Sequence, residues 1–234
     1  MATKKAPRRT AERILESSLA LFNRFGEPGV STNAISAELS ISPGNLYYHF
    51  PAKDDLINAL FVQYEQALQP ILQASDGVTH VEDAWFFIHS VLEVNWQYRF
   101  IYRNLNELLS RNRQLETGVR QTLDNLTQSL LRLLKTMQRH QALIAPPVGW
   151  ETVARSMVLL LVFWLSYEYA LDPRNALEEE NAQNAAMRNA AHVLGLLAPY
   201  AVPEQQAHLQ RLIDAYTPES TTATATTTTE PAVE

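Results

Sequence analysis

The chain contains no cysteine in its 234 residues. That absence excludes disulfides, thiolate metal sites and a cysteine nucleophile, and it fits a cytoplasmic setting. Glycine is scarce, at 7 residues, and no window sustains the period-two alternation of a half-buried strand. Together with the abundance of Leu, Ala, Gln, Glu and Arg, these deficits predict an all-α protein. Long hydrophobic runs are missing as well. The longest, Met157 to Leu165, falls well short of the roughly 18 residues that suggest a membrane span, so it reads as a buried helix and no membrane partner is expected. The opening MATKKAPRRT lacks the apolar core of a signal peptide. No glycine-rich phosphate loop or nucleophile elbow is present, and the six histidines (His49, His80, His89, His140, His192, His208) are scattered without ligand spacing. Neither an enzyme nor a cofactor is expected.

A basic excess is also missing, since the net charge is −6. Its distribution reverses the first impression. Residues 1–53 hold seven Lys or Arg against four Glu, a balance of +3, and the remainder carries −9. Such asymmetry points to a nucleic-acid-facing amino-terminal end.

The most informative stretch present is Ser31 to Lys53, STNAISAELSISPGNLYYHFPAK. It predicts two short helices joined by a tight turn. Ser42 can cap the second helix and Pro43 suits its first position, where no amide proton is needed. A helix over Pro43–His49 is too small to be a core element by itself, whereas the major groove of DNA accepts a helix. A preceding helix over 9–25 shows Ala11, Leu15, Leu19, Phe22 and Phe25 as an apolar stripe, stopped by Gly26. Further helices are predicted over 33–39, 53–74, 81–98, 101–111, 115–140, 150–171, 179–197 and 204–216, with Pro70 able to kink or end the 53–74 helix. The Thr/Ala-rich stretch from Thr217 onward cannot bury a core.

LFNRFG, STNAIS and SPGNLYYHFPAKDDL together resemble the amino-terminal DNA-binding domain of the TetR family of bacterial transcriptional regulators. The resemblance covers about residues 9–60, and its most specific part is the SxxxLYxHFxxK pattern from Ser42 to Lys53. Two departures stand out: Ser40 replaces the Gly usual in the turn between the short helices, and Ala52 replaces a common capping Ser. The resemblance implies a three-helix helix-turn-helix domain followed by a helical ligand-binding and dimerisation domain. The expected organisation is a disordered basic arm (1–8), the DNA-binding domain (9–52), the regulatory domain (53–216) and a disordered tail (217–234).

Asn45 and Tyr47 suit base edges, since Asn can pair with adenine and Tyr can touch a thymine methyl. Gly44 permits close backbone approach, and Ser31 or Thr32 at a helix start can meet a phosphate. By resemblance, Tyr48, His49 and Lys53 bind phosphates; Asn33, Ser42 and Pro43 complete the candidate surface. Two readings stay open: Tyr47 as packing, and His49 as a cap of its own helix. Leu46 and Phe50 are read as core.

In the regulatory half the resemblance implies an effector pocket, and the aromatic helices supply its candidates: Trp85, Phe86, His89, Trp96, Phe163, Trp164 and Tyr167. Ordinary core packing is the alternative for each. Val158, Leu161, Leu165, Ala186, Ala190, Val193 and Leu197 are expected to form the surface on which two copies pair, as the last helices of the family's regulatory domain do. A homodimer on a palindromic operator in double-stranded DNA is the expected assembly. LFNRFGEPGVST, ISPGNLYYHF and QYRFIYRNLNELLSRN are similar to regulators of polyhydroxyalkanoate gene clusters within this family. That narrower likeness implies an acyl thioester or fatty acid as effector, with Arg99 or Arg103 at its polar end. The expected function is therefore a ligand-responsive repressor; an activator of lipid or polyhydroxyalkanoate genes and a nonspecific architectural DNA-binding protein are the alternatives.

Overall fold

A computed structural model describes residues 7–176 and 178–215. Residues 1–6 of the expected 1–8 arm and the expected tail lie outside the described residues, whereas Pro7 and Arg8 of that arm belong to the first helix. Eleven helices are described, with no strand among those residues beyond a single antiparallel bridge between Leu143 and Ala201. Helix α1 (Pro7–Phe25) opens on a proline and so starts two residues before the predicted boundary. Its buried face is Ile14, Ser18, Phe22 and Asn23; of the predicted stripe Phe22 is buried, and Leu15 and Leu19 pack partly buried against the core. Phe25 is 51% exposed, under the Arg24 guanidinium. Helices α2 (Thr32–Glu38) and α3 (Pro43–His49) complete a three-helix head.

Helix α4 (Lys53–Gln73) runs from this head into the regulatory half and continues through Pro70 into a 3-10 turn at Ala74–Gly77. It buries Leu56, Ile57, Leu60, Phe61, Tyr64, Leu68 and Leu72 against α5 (Val81–Gln97) and α8 (Arg113–Arg139). Close approach of α4 and α8 requires Gly118: a Cβ there would lie 2.4 Å from Cε1 of Phe61. Between α5 and α8 the predicted single helix divides into α6 (Phe100–Arg103) and α7 (Leu105–Arg111). Asn23 of α1 donates from Nδ2 to the Gln97 carbonyl at 2.8 Å and accepts the Phe100 amide at 3.0 Å, satisfying backbone groups at the preceding break.

Helix α9 (Trp150–Leu171) packs on α8, α10 (Glu179–Gly195) and α6; α10 also packs on α5, and α11 (Pro203–Asp214) closes over α5 and α10. Helix α9 is long and apolar enough by length and composition to cross a membrane, but half of its most apolar window is buried in the bundle. The buried side of α9, α10 and the turn that follows contains Val158, Leu161, Leu165, Ala190, Val193 and Leu197, with Ala186 partly buried against it. These residues, predicted as a pairing surface, belong instead to the core of one chain. The exposed side of α9 carries Leu159, Phe163, Tyr167 and Leu171, at every fourth position.

Candidate nucleic-acid interface

The head is built from local signals. Ser31 Oγ accepts the Ala34 amide at 3.1 Å, and Ser42 Oγ accepts the Asn45 amide at 3.2 Å, so each short helix has a side-chain cap. The turn between them places Ser40 at φ +54°, the left-handed region that glycine adopts without strain. The Ile41 amide closes that turn on the Ser36 carbonyl at 3.0 Å. At the start of α4, Ala52 has no side-chain oxygen to offer. Asp55 takes up the other half of the cap by accepting the Ala52 amide at 2.8 Å.

Leu46, fully buried, anchors α3 to the head. Around that anchor the remaining surface faces outward: Ser31, Asn33, Ser42, Pro43, Gly44, Asn45, Tyr47 and Tyr48 are exposed, Tyr48 by 78%. Thr32 and His49 are half-buried. Tyr47 is held in place by its hydroxyl, 2.9 Å from Thr32 Oγ1, and the Tyr48 and His49 rings meet edge to face. These predicted residues therefore form one polar, aromatic, outward-facing patch.

Lys53 behaves differently. Its ammonium lies 2.7 Å from Oε1 of Glu27, donates to the Glu27 carbonyl at 2.6 Å and sits over the Phe22 ring. The Glu27 carboxylate is itself buried, and its other oxygen accepts from the Arg111 guanidinium at the end of α7. Arg111 is held above its usual pKa by that bond. Glu27 thus joins the head, the start of α4 and the end of α7 in one ionic cluster. Lys53, predicted as a phosphate ligand, pairs in the structure with Glu27, which it shares with Arg111, and keeps 24% of its side-chain surface exposed. Glu27 escaped the sequence reading because a single acidic residue in a loop carries no sign of its burial.

The regulatory half contains a groove of about 930 Å³ between the end of α4, the face of α5 and α11. Of the predicted pocket residues, Trp85 and Phe86 line it. His89 stacks on Trp85, and its Nε2 is 3.4 Å from Glu93. Trp96 and Arg99 stack on one another, Arg103 lies over Tyr169, and Trp164 is buried against His192 and Tyr167. Phe163 and Tyr167 face outward on α9. Sequence reasoning missed Ile71, Val78, Glu82, Glu93 and Leu212, which line the groove from three separate stretches. Deeper in the bundle, the Tyr64 and Tyr102 hydroxyls bond to each other and converge on Asn95 Oδ1, while Asn95 Nδ2 donates to the Leu161 carbonyl at 2.9 Å. Burial pushes both tyrosine hydroxyls well above their usual pKa, so this is a neutral structural network.

Known proteins share this architecture. A family profile described as bacterial regulatory proteins, tetR family, matches residues 14–60, and one described as bacterial transcriptional repressor TetR matches residues 63–209. The HTH-type transcriptional regulator UidR of Escherichia coli (strain K12) is 34% identical over 95 residues, 40% of this chain and 46% of UidR. The chain thus spans about half the length of the curated relatives it matches, 46%. Among solved structures, a TetR-family transcriptional regulator from Marinobacter aquaeolei VT8 superposes with a TM-score of 0.80 at 30% identity, covering 89% of this chain and 99% of that one. Salmonella enterica GusR shares the fold, with a TM-score of 0.57 at 23% identity over 84% of this chain and 99% of its own. With both profiles adjoining and the full bundle superposed, the chain belongs to the TetR family of bacterial transcriptional regulators.

Proposed function

We propose that the chain is a cytoplasmic repressor that binds a palindromic operator as a homodimer and leaves it when a small effector occupies the α4–α5–α11 groove. The observation that carries the DNA reading is α3, a capped seven-residue helix with Leu46 buried and Gly44, Asn45, Tyr47 and Tyr48 turned outward. Asn45 and Tyr47 read base edges, and Ser31, Thr32, Tyr48 and His49 meet phosphates. Two such helices about 34–36 Å apart read two half-sites. The apolar stripe Leu159, Phe163, Tyr167 and Leu171 supports pairing through α9, because a second copy of the same stripe buries it. Coupling to the groove runs along α4, which touches both sites, and through the Glu27 and Asn23 ties.

A titration against random duplex and candidate operators at fixed salt tests the reading. A preference of about 10³-fold or more is expected; equal affinities identify an architectural binder. Asn45→Ala should relax base preference at one position by about 1–3 kcal/mol. Lys53→Met should lower the melting temperature and leave the salt slope unchanged. A slope reduced by about 1 would return Lys53 to the phosphates.

A further inference from the structure

The α4–α5–α11 groove has a charge pattern that selects its ligand. The inference rests on the ligand-responsive reading above and concerns the chemistry of the effector. The wall is apolar and aromatic, with Ile71, Val78, Trp85, Phe86, Val94 and Leu212. The charged residues lining it are Glu82, Asp83 and Glu93, and neither lysine nor arginine takes part. Asp83 is committed to the start of α5, accepting the Thr79 and His80 amides at 2.9 and 3.1 Å. His208 is held by Glu82, with Nε2 2.9 Å from Oε1. Glu82 and Glu93 each keep 68% of their side-chain surface exposed, so both can meet a ligand at the rim.

An anionic head group entering this groove meets carboxylates and no lysine or arginine. A cationic one is attracted by the same carboxylates and by the exposed face of Phe86. We propose that the groove is a site for an amphiphilic cation, an ammonium head on an alkyl or aromatic body, with Glu82 and Glu93 holding the head and the apolar wall holding the body. Its volume of about 930 Å³ lies within the range of small-molecule sites. The sign is opposite to that of the acyl effector implied by the narrower sequence likeness, for which Arg99 and Arg103 are placed elsewhere. The position suits regulation. Pro70, Ile71 and Ala74 at the carboxyl end of α4 form one wall, and Pro70 donates no amide to the helix ladder, so α4 yields most readily where the ligand presses.

Calorimetric titration of the full chain with decyltrimethylammonium and with decanoate, each below its micelle-forming concentration, tests this. The cation should bind and decanoate should bind at least about tenfold more weakly. The double variant Glu82→Gln, Glu93→Gln should weaken the cation by about tenfold, with the melting temperature of the free protein unchanged. Phe86→Ala, at a side chain 66% exposed, should weaken it with folding equally intact. Decanoate binding as tightly as the cation, or a double variant without effect, overturns the proposal. So does cation binding that appears only after truncation beyond Ala215, which would make the chain's own carboxyl-terminal segment the occupant. Cation affinity that falls as protein concentration rises would place a second copy there and overturn it too. Operator binding measured in parallel separates the two levels. Operator binding with no cation binding ends this inference alone, whereas cation binding with no operator binding ends the repressor reading and leaves the site standing.

Discussion

Helix α3 shows solvent its aromatic side chains on a polar ground, Tyr47 and Tyr48 beside Asn45, Ser42 and Gly44. Helix α9 shows a continuous apolar stripe instead, Leu159, Phe163, Tyr167 and Leu171. The difference lies in what each surface can cover. Hydroxyls and amides keep hydrogen-bonding capacity when pressed against a wet, charged duplex, and an unbroken row of apolar side chains gains only by meeting another such row. Exposure of large side chains therefore means two things in one molecule, and the neighbouring residues decide which.

The sharpest way to break that comparison is to cut the two sides of α9 separately. Leu161→Ala removes a core side chain 1% exposed and should cost about 3 kcal/mol in urea unfolding. Leu159→Glu with Phe163→Glu touches the exposed side. It should convert the proposed dimer to monomer in sedimentation velocity, with helical content retained; a species that stays dimeric would move the pairing surface off α9. The next effect down concerns the tie between the two regions. Arg111→Met takes one of two cations from the buried Glu27 carboxylate and should cost about 1–2 kcal/mol, moderated by the 39% exposure of the Arg111 side chain. The same variant should weaken the effect of ligand on operator affinity, and an unchanged response would show that coupling runs through α4 alone. The smallest effect belongs to the head. Ser40→Gly should stabilise by about 1 kcal/mol, since glycine carries no penalty at φ +54°. A melting temperature that does not rise would mean the Ser40 side chain contributes more than its backbone costs.

How much was legible in the sequence follows the same division. Around α3, the boundaries Pro43 and His49 match the prediction because the cap, the proline and the stop are adjacent in the chain and each acts locally. The facing of α3 was equally legible, since one apolar anchor stands among polar residues. Helix α9 was also bounded correctly, at Trp150 and Leu171. Its facing was not, because leucines, valines and aromatics occupy both sides and periodicity cannot choose between them. Sequence alone therefore places Phe163 and Tyr167 in a pocket and Val158, Leu161 and Leu165 on a surface, whereas in the structure the first two are exposed and the other three buried. The tie between α1 and the start of α6 was illegible for a further reason: the backbone groups at Gln97 and Phe100 are satisfied by Asn23, more than seventy residues away.

By itself the sequence determined the bounds of α3 and α9 and the outward facing of the residues around Leu46, since these arise from hydrogen bonds and contacts a few residues apart. Only the tertiary structure decided which face of α9 is core, that Lys53 answers to Glu27, and that Glu82 and Glu93 share a groove with Trp85 and Leu212. Those outcomes depend on which distant segments meet, and burial and charge matching act on neighbours in space whatever their separation along the chain.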